Sequence, residues 1–327
     1  MRLHTPLRAL WVLLFVSLLA SPARAFHIAG AELTYECLGN DRYELTLTFF
    51  RDCSLDNSGL PVAGFDDPLF LYIFFGNGQN LRDPVFNVLS VPAPQSTPEL
   101  MPPDIEECGG VPPSVCIQRG VYKTQVVLPA RPGGYDIGWA RCCRNQGITN
   151  LTSPDDQGLT MLSHVPGTNE VSSGPCNSMP EFKQPPPLFL CLDRQLTWDH
   201  SAVEPDGDSL VYEIADPFTG LNANFVGADN NNPAVQPGVN PMGPPPYQNV
   251  DFSLGFNFQN AFGGTSTYQI DRQTGELTIQ PRTTGLFVFA ISVKEYRNGT
   301  LISENKRDYQ VFVLPCSQLT DLPEINH

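Results

Sequence analysis

Residues 198–212 read Trp-Asp-His-Ser-Ala-Val-Glu-Pro-Asp-Gly-Asp-Ser-Leu-Val-Tyr and place Asp199, Glu204, Asp206 and Asp208 in one short stretch. Pro205 pre-sets a turn and Gly207 permits a positive φ, so the backbone can fold Glu204, Asp206 and Asp208 toward one point. Carboxylates held this close repel unless a hard cation or water separates them, and oxygen-rich turns suit Ca²⁺. With Asp199 as a fourth carboxylate, the stretch is a candidate calcium site. One local turn falls short of the roughly six to eight oxygens that Ca²⁺ takes, so a solvated acidic turn that binds nothing is the alternative.

Other reactive patterns are missing. The sequence contains no H-E-x-x-H, no G-x-S-x-G and no phosphate-cradling glycine loop. Beyond the leader the histidines are His27, His164, His200 and His327, too scattered for a zinc cluster. His200 precedes the acidic turn and either orients a ligand carboxylate or is a satisfied polar group at a strand end. Trp139 and Trp198 read as core residues rather than sugar-stacking platforms. The sequence therefore predicts no catalytic residue and no enzyme.

The elements around the turn belong to an exported chain. Arg2 and Arg8 precede an apolar run over 10–19, and Ala23-Arg24-Ala25 is a small-x-small cleavage site. The run is too short to span a membrane, and nothing later approaches a span. Residues 1–25 read as a cleaved signal, with Phe26 as the mature start. Three arginines and no acid lie in that leader, so its removal takes the net charge from −15 to −18. An acidic surface of this size argues against nucleic acid and anionic membranes. All nine cysteines follow the leader and none forms C-x-x-C, which favours disulfides over zinc. Cys108–Cys116 is expected to clip a long loop over 90–113, and Cys191–Cys316 to staple the ends of the second half. Cys142 and Cys143, in an apparent strand, should point to opposite faces and take separate partners.

Pro (32) and Gly (27) are frequent, and no long helical stripe appears. Alternation is the recurrent signal: Tyr43, Leu45, Leu47 and Phe49 mark a half-buried strand over 43–50. Further strands are expected at 29–37, 69–75, 121–128, 135–142 and 159–164. After the stiff connector Gln184-Pro185-Pro186-Pro187 they are expected at 188–191, 210–215, 267–270, 276–279, 285–296 and 308–314. Asn298-Gly299 and residues 271–275 read as hairpin turns. Residues 218–247, rich in Asn, Pro and Gly, form a long insertion that either binds or is a simple loop. A mature chain of about 300 residues exceeds one sandwich. The prediction is all-β: two tandem Ig-like or cadherin-like β-sandwiches, disulfide-stapled, over 26–184 and 188–316, with a tail at 317–327.

Several stretches resemble a known group. Residues 26–40, Phe50-Arg51-Asp52-Cys53, Val111-Pro112-Pro113-Ser114-Val115-Cys116, Arg141-Cys142-Cys143-Arg144-Asn145, Cys176-Asn177-Ser178, residues 205–212 and Glu295-Tyr296-Arg297-Asn298-Gly299 are similar to exported proteins of Bacteroidetes. These are gliding-motility-associated or PKD-domain surface proteins linked to type IX secretion. The second half also resembles cadherin-like and Ig-like sandwiches. The resemblance implies cysteines at positions 215 and 292, where this chain has Ala215 and Ser292, and an aspartate at 204, where it has Glu204. It also implies further repeats and a sorting domain beyond Cys316, which leaves a free module, a periplasmic protein or a truncated reading frame as alternatives.

The sequence thus predicts an extracellular or cell-surface adhesion or interaction module, with the periplasm as the alternative location, stiffened by calcium if the acidic turn binds it. Its partner is an extracellular protein or a glycan, and a carbohydrate-binding or polysaccharide-processing accessory is the alternative.

Overall fold

A computed structural model describes residues 28–53, 65–76, 85–94, 99–100, 116–171, 176–187, 189–219 and 242–316. Residues 1–25, read above as a signal, Phe26, Cys108, most of the 218–247 insertion and the 317–327 tail lie outside them. The described chain is all-β, with one 3₁₀ turn at Pro154–Asp156. The first-half strands are β1 (Ile28–Gly39), β2 (Arg42–Asp52), β3 (Leu69–Phe75), β4 (Val85–Val91), β5 (Glu99–Leu100), β6 (Ile117–Val127), β7 (Tyr135–Arg141) and β8 (Leu159–Val165). Those that follow are β9 (Glu181–Phe182), β10 (Phe189–Cys191), β11 (Leu196–Asp199), β12 (Ala202–Val203), β13 (Ser209–Ala215), β14 (Thr267–Ile270), β15 (Glu276–Gln280), β16 (Gly285–Arg297) and β17 (Thr300–Leu314). The expected strands are present; β4 is added just before the loop expected over 90–113, and the short β5 lies within it.

Two hydrophobic cores form. The first packs Leu33, Leu45, Leu47 and Phe49 of β1 and β2 against Leu71, Ile73, Ile137, Trp139 and Met161 of the four-stranded sheet β4-β3-β7-β8. The second packs Phe287, Phe289, Ile291, Tyr309 and Val311 of β16 and β17 against Leu277, Ile279 and Tyr268 of the sheet β11-β15-β14. Alternation explains both: on β17, Tyr309, Val311 and Val313 share one face, while Asp308 and Gln310 point the other way.

One eight-stranded sheet runs through both halves, in the order β13-β16-β17-β1-β2-β6-β5, with β10 also beside β17. Strand β17 pairs β16 along its length, while its other edge is shared between β1 and β10. Gly30 makes the β1 join possible, because a Cβ there would lie 2.6 Å from the Asp308 carbonyl oxygen and from Tyr309 Cβ. Asn298 and Gly299 take positive φ values of 52° and 80° at the β16–β17 turn, as an Asn-Gly hairpin requires.

Four disulfides join described cysteines: Cys37–Cys176, Cys53–Cys116, Cys142–Cys143 and Cys191–Cys316. The Cys191–Cys316 staple is as expected. The Cys108–Cys116 clip is not: Cys116 lies beside Cys53, whose N–H donates to its carbonyl at 2.8 Å, because β2 and β6 pair to their ends. The expectation that Cys142 and Cys143 take separate partners is also overturned. Strand β7 stops at Arg141, so strand alternation does not reach them, and they bond to each other across a cis peptide.

Candidate functional site

The acidic turn connects β12 to β13, and the β13–β16 register brings Leu210 opposite Glu295 and Ser209 opposite Tyr296. That register carries Glu295 and Arg297 to the turn. Glu204, Asp206, Asp208 and Glu295 each offer an oxygen, all within 4.8 Å of one another. Three of the four expected carboxylates therefore converge. Asp199 does not join them: it is exposed, and its hydrogen bonds to the Ser201 hydroxyl, foremost, and to the Ser201 N–H at 2.8 Å hold its pKa down.

The turn is built by its own first residue. Glu204 accepts the N–H groups of Asp206 at 2.8 Å and Asp208 at 2.6 Å, using both oxygens. Gly207 supplies the positive φ of 87° that closes the turn. Asp208 receives Arg297 Nε at 2.9 Å on each oxygen, and Arg297 Nη2 also reaches it. That guanidinium holds the Asp208 pKa down. It lies 3.8 Å from Asp206 Oδ2 as well, and donates to Asn177 Oδ1 at 2.8 Å.

Glu295 is fully buried, and burial pushes its carboxyl up to about 8, with Asp208 adding to the rise. Its Oε2 accepts Asn177 Nδ2 at 2.9 Å and the Ser303 hydroxyl, and as the neutral carboxyl Glu295 shares a hydrogen bond with Asp208. Sequence reasoning assigned no role to Glu295, Arg297, Asn177 or Ser178. The local signal was that they fall in motifs carrying the family resemblance.

The corner is also a joint between the two cores. The Ser178 N–H donates to Asp206 Oδ2 at 2.7 Å, and the Ser178 hydroxyl accepts Cys37 N–H at 3.1 Å. The Cys37–Cys176 disulfide pins the same segment to β1. Strand β9 then pairs β12. Deeper in, Arg144 Nη1 donates to Asp308 Oδ1 at 3.0 Å, and Arg307 Nε donates to Glu32 Oε2 at 2.7 Å. Both arginines are almost fully buried.

The donor set bears on calcium in two ways. Carboxylate oxygens are the right ligands for a hard cation. In this arrangement, however, Arg297 already supplies the positive charge, and both Glu204 oxygens are committed to backbone N–H groups. The carboxylate oxygens left for a cation are Asp206 Oδ1 and, once its carboxyl loses its proton, Glu295 Oε1.

His200 is turned away from the turn. It is buried, its Nε2 lies 2.9 Å from the Tyr309 hydroxyl, and burial keeps its pKa well below the ordinary value. Trp139 is buried in the first core, and Trp198 packs against the second. No known protein family, curated protein or solved structure matches the chain.

Proposed function

We propose that this chain is an exported, disulfide-braced interaction module, in which two Ig-like or cadherin-like sandwiches share one long sheet and present loops to an extracellular protein. It works as a rigid display surface and not as a catalyst. The observation that carries this reading is the joint: the corner's polar groups bond to one another across the two halves. Asn177 and Ser178 on one side are tied to Glu295, Arg297 and Asp206 on the other. Rigidity of this kind lowers the ordering cost of binding a partner. The stretches that resemble exported gliding-motility-associated and PKD-domain surface proteins fit this reading.

A protein partner is favoured over a glycan by the aromatic rings. The exposed large hydrophobic side chains among the described residues are Leu38, Val127, Val203, Leu254 and Leu301, none of them aromatic. Phe218 and Tyr247, beside the long insertion, meet edge to face at 6.1 Å, and Lys306 covers the Phe218 ring. A glycan array and a polysaccharide-hydrolysis assay on the secreted, oxidised chain test this choice. The expected result is no glycan binding and no hydrolysis, with intact mass placing the N-terminus at Phe26. Specific glycan binding would move the assignment to the carbohydrate accessory, and hydrolysis would end the non-catalytic reading.

Calcium is the second reading, favoured by the convergence of Glu204, Asp206, Asp208 and Glu295 oxygens within 4.8 Å of one another. Glu204, Asp206, Asp208 and Glu295 would hold the ion, which would supply the charge compensation now given by Arg297. An ion that binds only the folded corner adds to folding stability. Calorimetry is then expected to show a higher melting temperature in millimolar Ca²⁺ than in chelator, and a smaller rise in Mg²⁺. The joint replacement Asp206→Ala and Asp208→Ala is expected to remove the rise. Identical transitions in Ca²⁺ and chelator would leave Arg297 as the corner's only cation.

A further inference from the structure

On β8, His164 stands between two carboxylates that are not part of the acidic corner. Its Nδ1 lies 2.7 Å from Asp136 Oδ1, and its Nε2 lies 3.0 Å from Glu170 Oε2. A neutral imidazole carries one N–H, so one of these contacts would set a ring lone pair against a carboxylate oxygen. The imidazolium alone donates to both. The geometry therefore requires the charged ring.

The two partners are held differently. Asp136 is directly opposite His164 in the β7–β8 ladder, which fixes its backbone beside the ring. Glu170 belongs to the 167–171 turn beyond the end of β8. Its Oε2 also accepts the Gly167 N–H at 2.6 Å, so one oxygen serves both the ring and the turn. Further ties of the turn include Thr168 N–H to the Arg131 carbonyl at 2.9 Å and Asn169 Oδ1, which accepts the Gly133 N–H at 2.6 Å.

We propose that His164 is a pH-operated latch: as the imidazolium it ties the 167–171 turn to the four-stranded sheet, and as the neutral ring it keeps Asp136 and releases Glu170. This is independent of the interaction-module reading. Glu170 Oε2 then leaves the ring and withdraws from Gly167 as well.

The surroundings agree. Strand β3 brings Phe74 opposite Asp136 and Gly76 against the imidazole Cε1, and neither titrates. The Tyr35 hydroxyl from β1 donates to the His164 carbonyl at 2.9 Å, and burial holds that phenol neutral. Tyr247, whose phenol responds to Asp136, is kept neutral by burial too. Asp136 and Glu170 are the charged groups acting on the ring. Burial opposes its charging, but these carboxylates outweigh it and raise its pKa. A raised folded pKa means the tie is fully formed below about 6.5, the ordinary histidine value, and is lost as pH rises through the folded pKa.

The test follows the His164 ring and the Gly167 amide by NMR on the oxidised mature chain across neutral pH. His164 is expected to titrate above an ordinary histidine. Over the same range Gly167 protection from exchange, corrected for intrinsic base catalysis, is expected to fall about tenfold. In Glu170→Gln the His164 titration is expected to move down, and the pH-dependent fall at Gly167 to disappear. Gly167 protection that stays flat while His164 titrates would overturn the latch. So would a Glu170→Gln chain that keeps the wild-type fall.

Discussion

Replacing Arg144 with Met is expected to destabilise the protein by about 3–5 kcal/mol, as loss of one partner of a buried pair does. Arg144 is 2% exposed and Asp308 0%, and the guanidinium faces the carboxylate with two nitrogens. Arg144 Nε also donates to the Gly158 carbonyl at 2.7 Å, and Nη2 to the Phe218 carbonyl at 3.2 Å. The substitution leaves the Asp308 carboxylate buried on β17 without its counter-charge. Asp308 is flanked across the ladders by Ala31 of β1 and Ala290 of β16, and the other cation that acts on it, Lys306, is held at the Asp216 carbonyl at 3.0 Å. Denaturant unfolding measures the loss. The joint change Arg144→Met and Asp308→Leu is expected to recover much of it, because the orphaned charge is gone. A single Arg144→Met chain within about 1 kcal/mol of wild type would show that water reaches Asp308 and that the pair does not act as a buried one.

The second large effect is expected at Cys191–Cys316. Joint replacement of both cysteines with Ser is expected to cost about 5 kcal/mol on the chain-entropy treatment of a loop this long. The bridge spans a sequence separation of 125, and that loop shares no residue with the Cys37–Cys176 loop. Remaining crosslinks therefore do not restrict the same unfolded segment, and the entropy is not already removed. The bridge also closes β10 onto the end of β17, where Cys191 pairs in register with Leu314. Equilibrium unfolding of the Ser-substituted chain, with the other disulfides intact, reads the difference. A cost below about 1 kcal/mol would mean that the denatured chain holds these ends together without the bond.

Local pattern made the strands legible. Alternation over Tyr43, Leu45, Leu47 and Phe49 corresponds to β2, and all four residues line the first core. The Asn298-Gly299 turn was readable because only a few residue types accept two successive positive φ values. The Cys191–Cys316 pair was readable because the two cysteines bracket the second half. Vicinal Cys142–Cys143 was not, since nothing in the composition marks where β7 ends.

The sequence by itself determined an all-β chain with a secretion-like start and an acidic turn whose Glu204, Asp206 and Asp208 converge. Those features depend on residues close in the chain, where steric limits on φ and side-chain periodicity act directly. Only the tertiary structure decided what the turn faces. Arg297 and Asp208 are 89 residues apart, and Arg297 and Asn177 are 120 apart. Glu295 reads in sequence as one more polar residue in an alternating strand. Strand order and register turn it inward, bury it and set it beside Asp208. The same long-range choice moved Cys116 to Cys53 and left Asp199 outside the cluster. Pairing between distant strands depends on which of many compatible edges meet, and a local pattern carries no record of that choice.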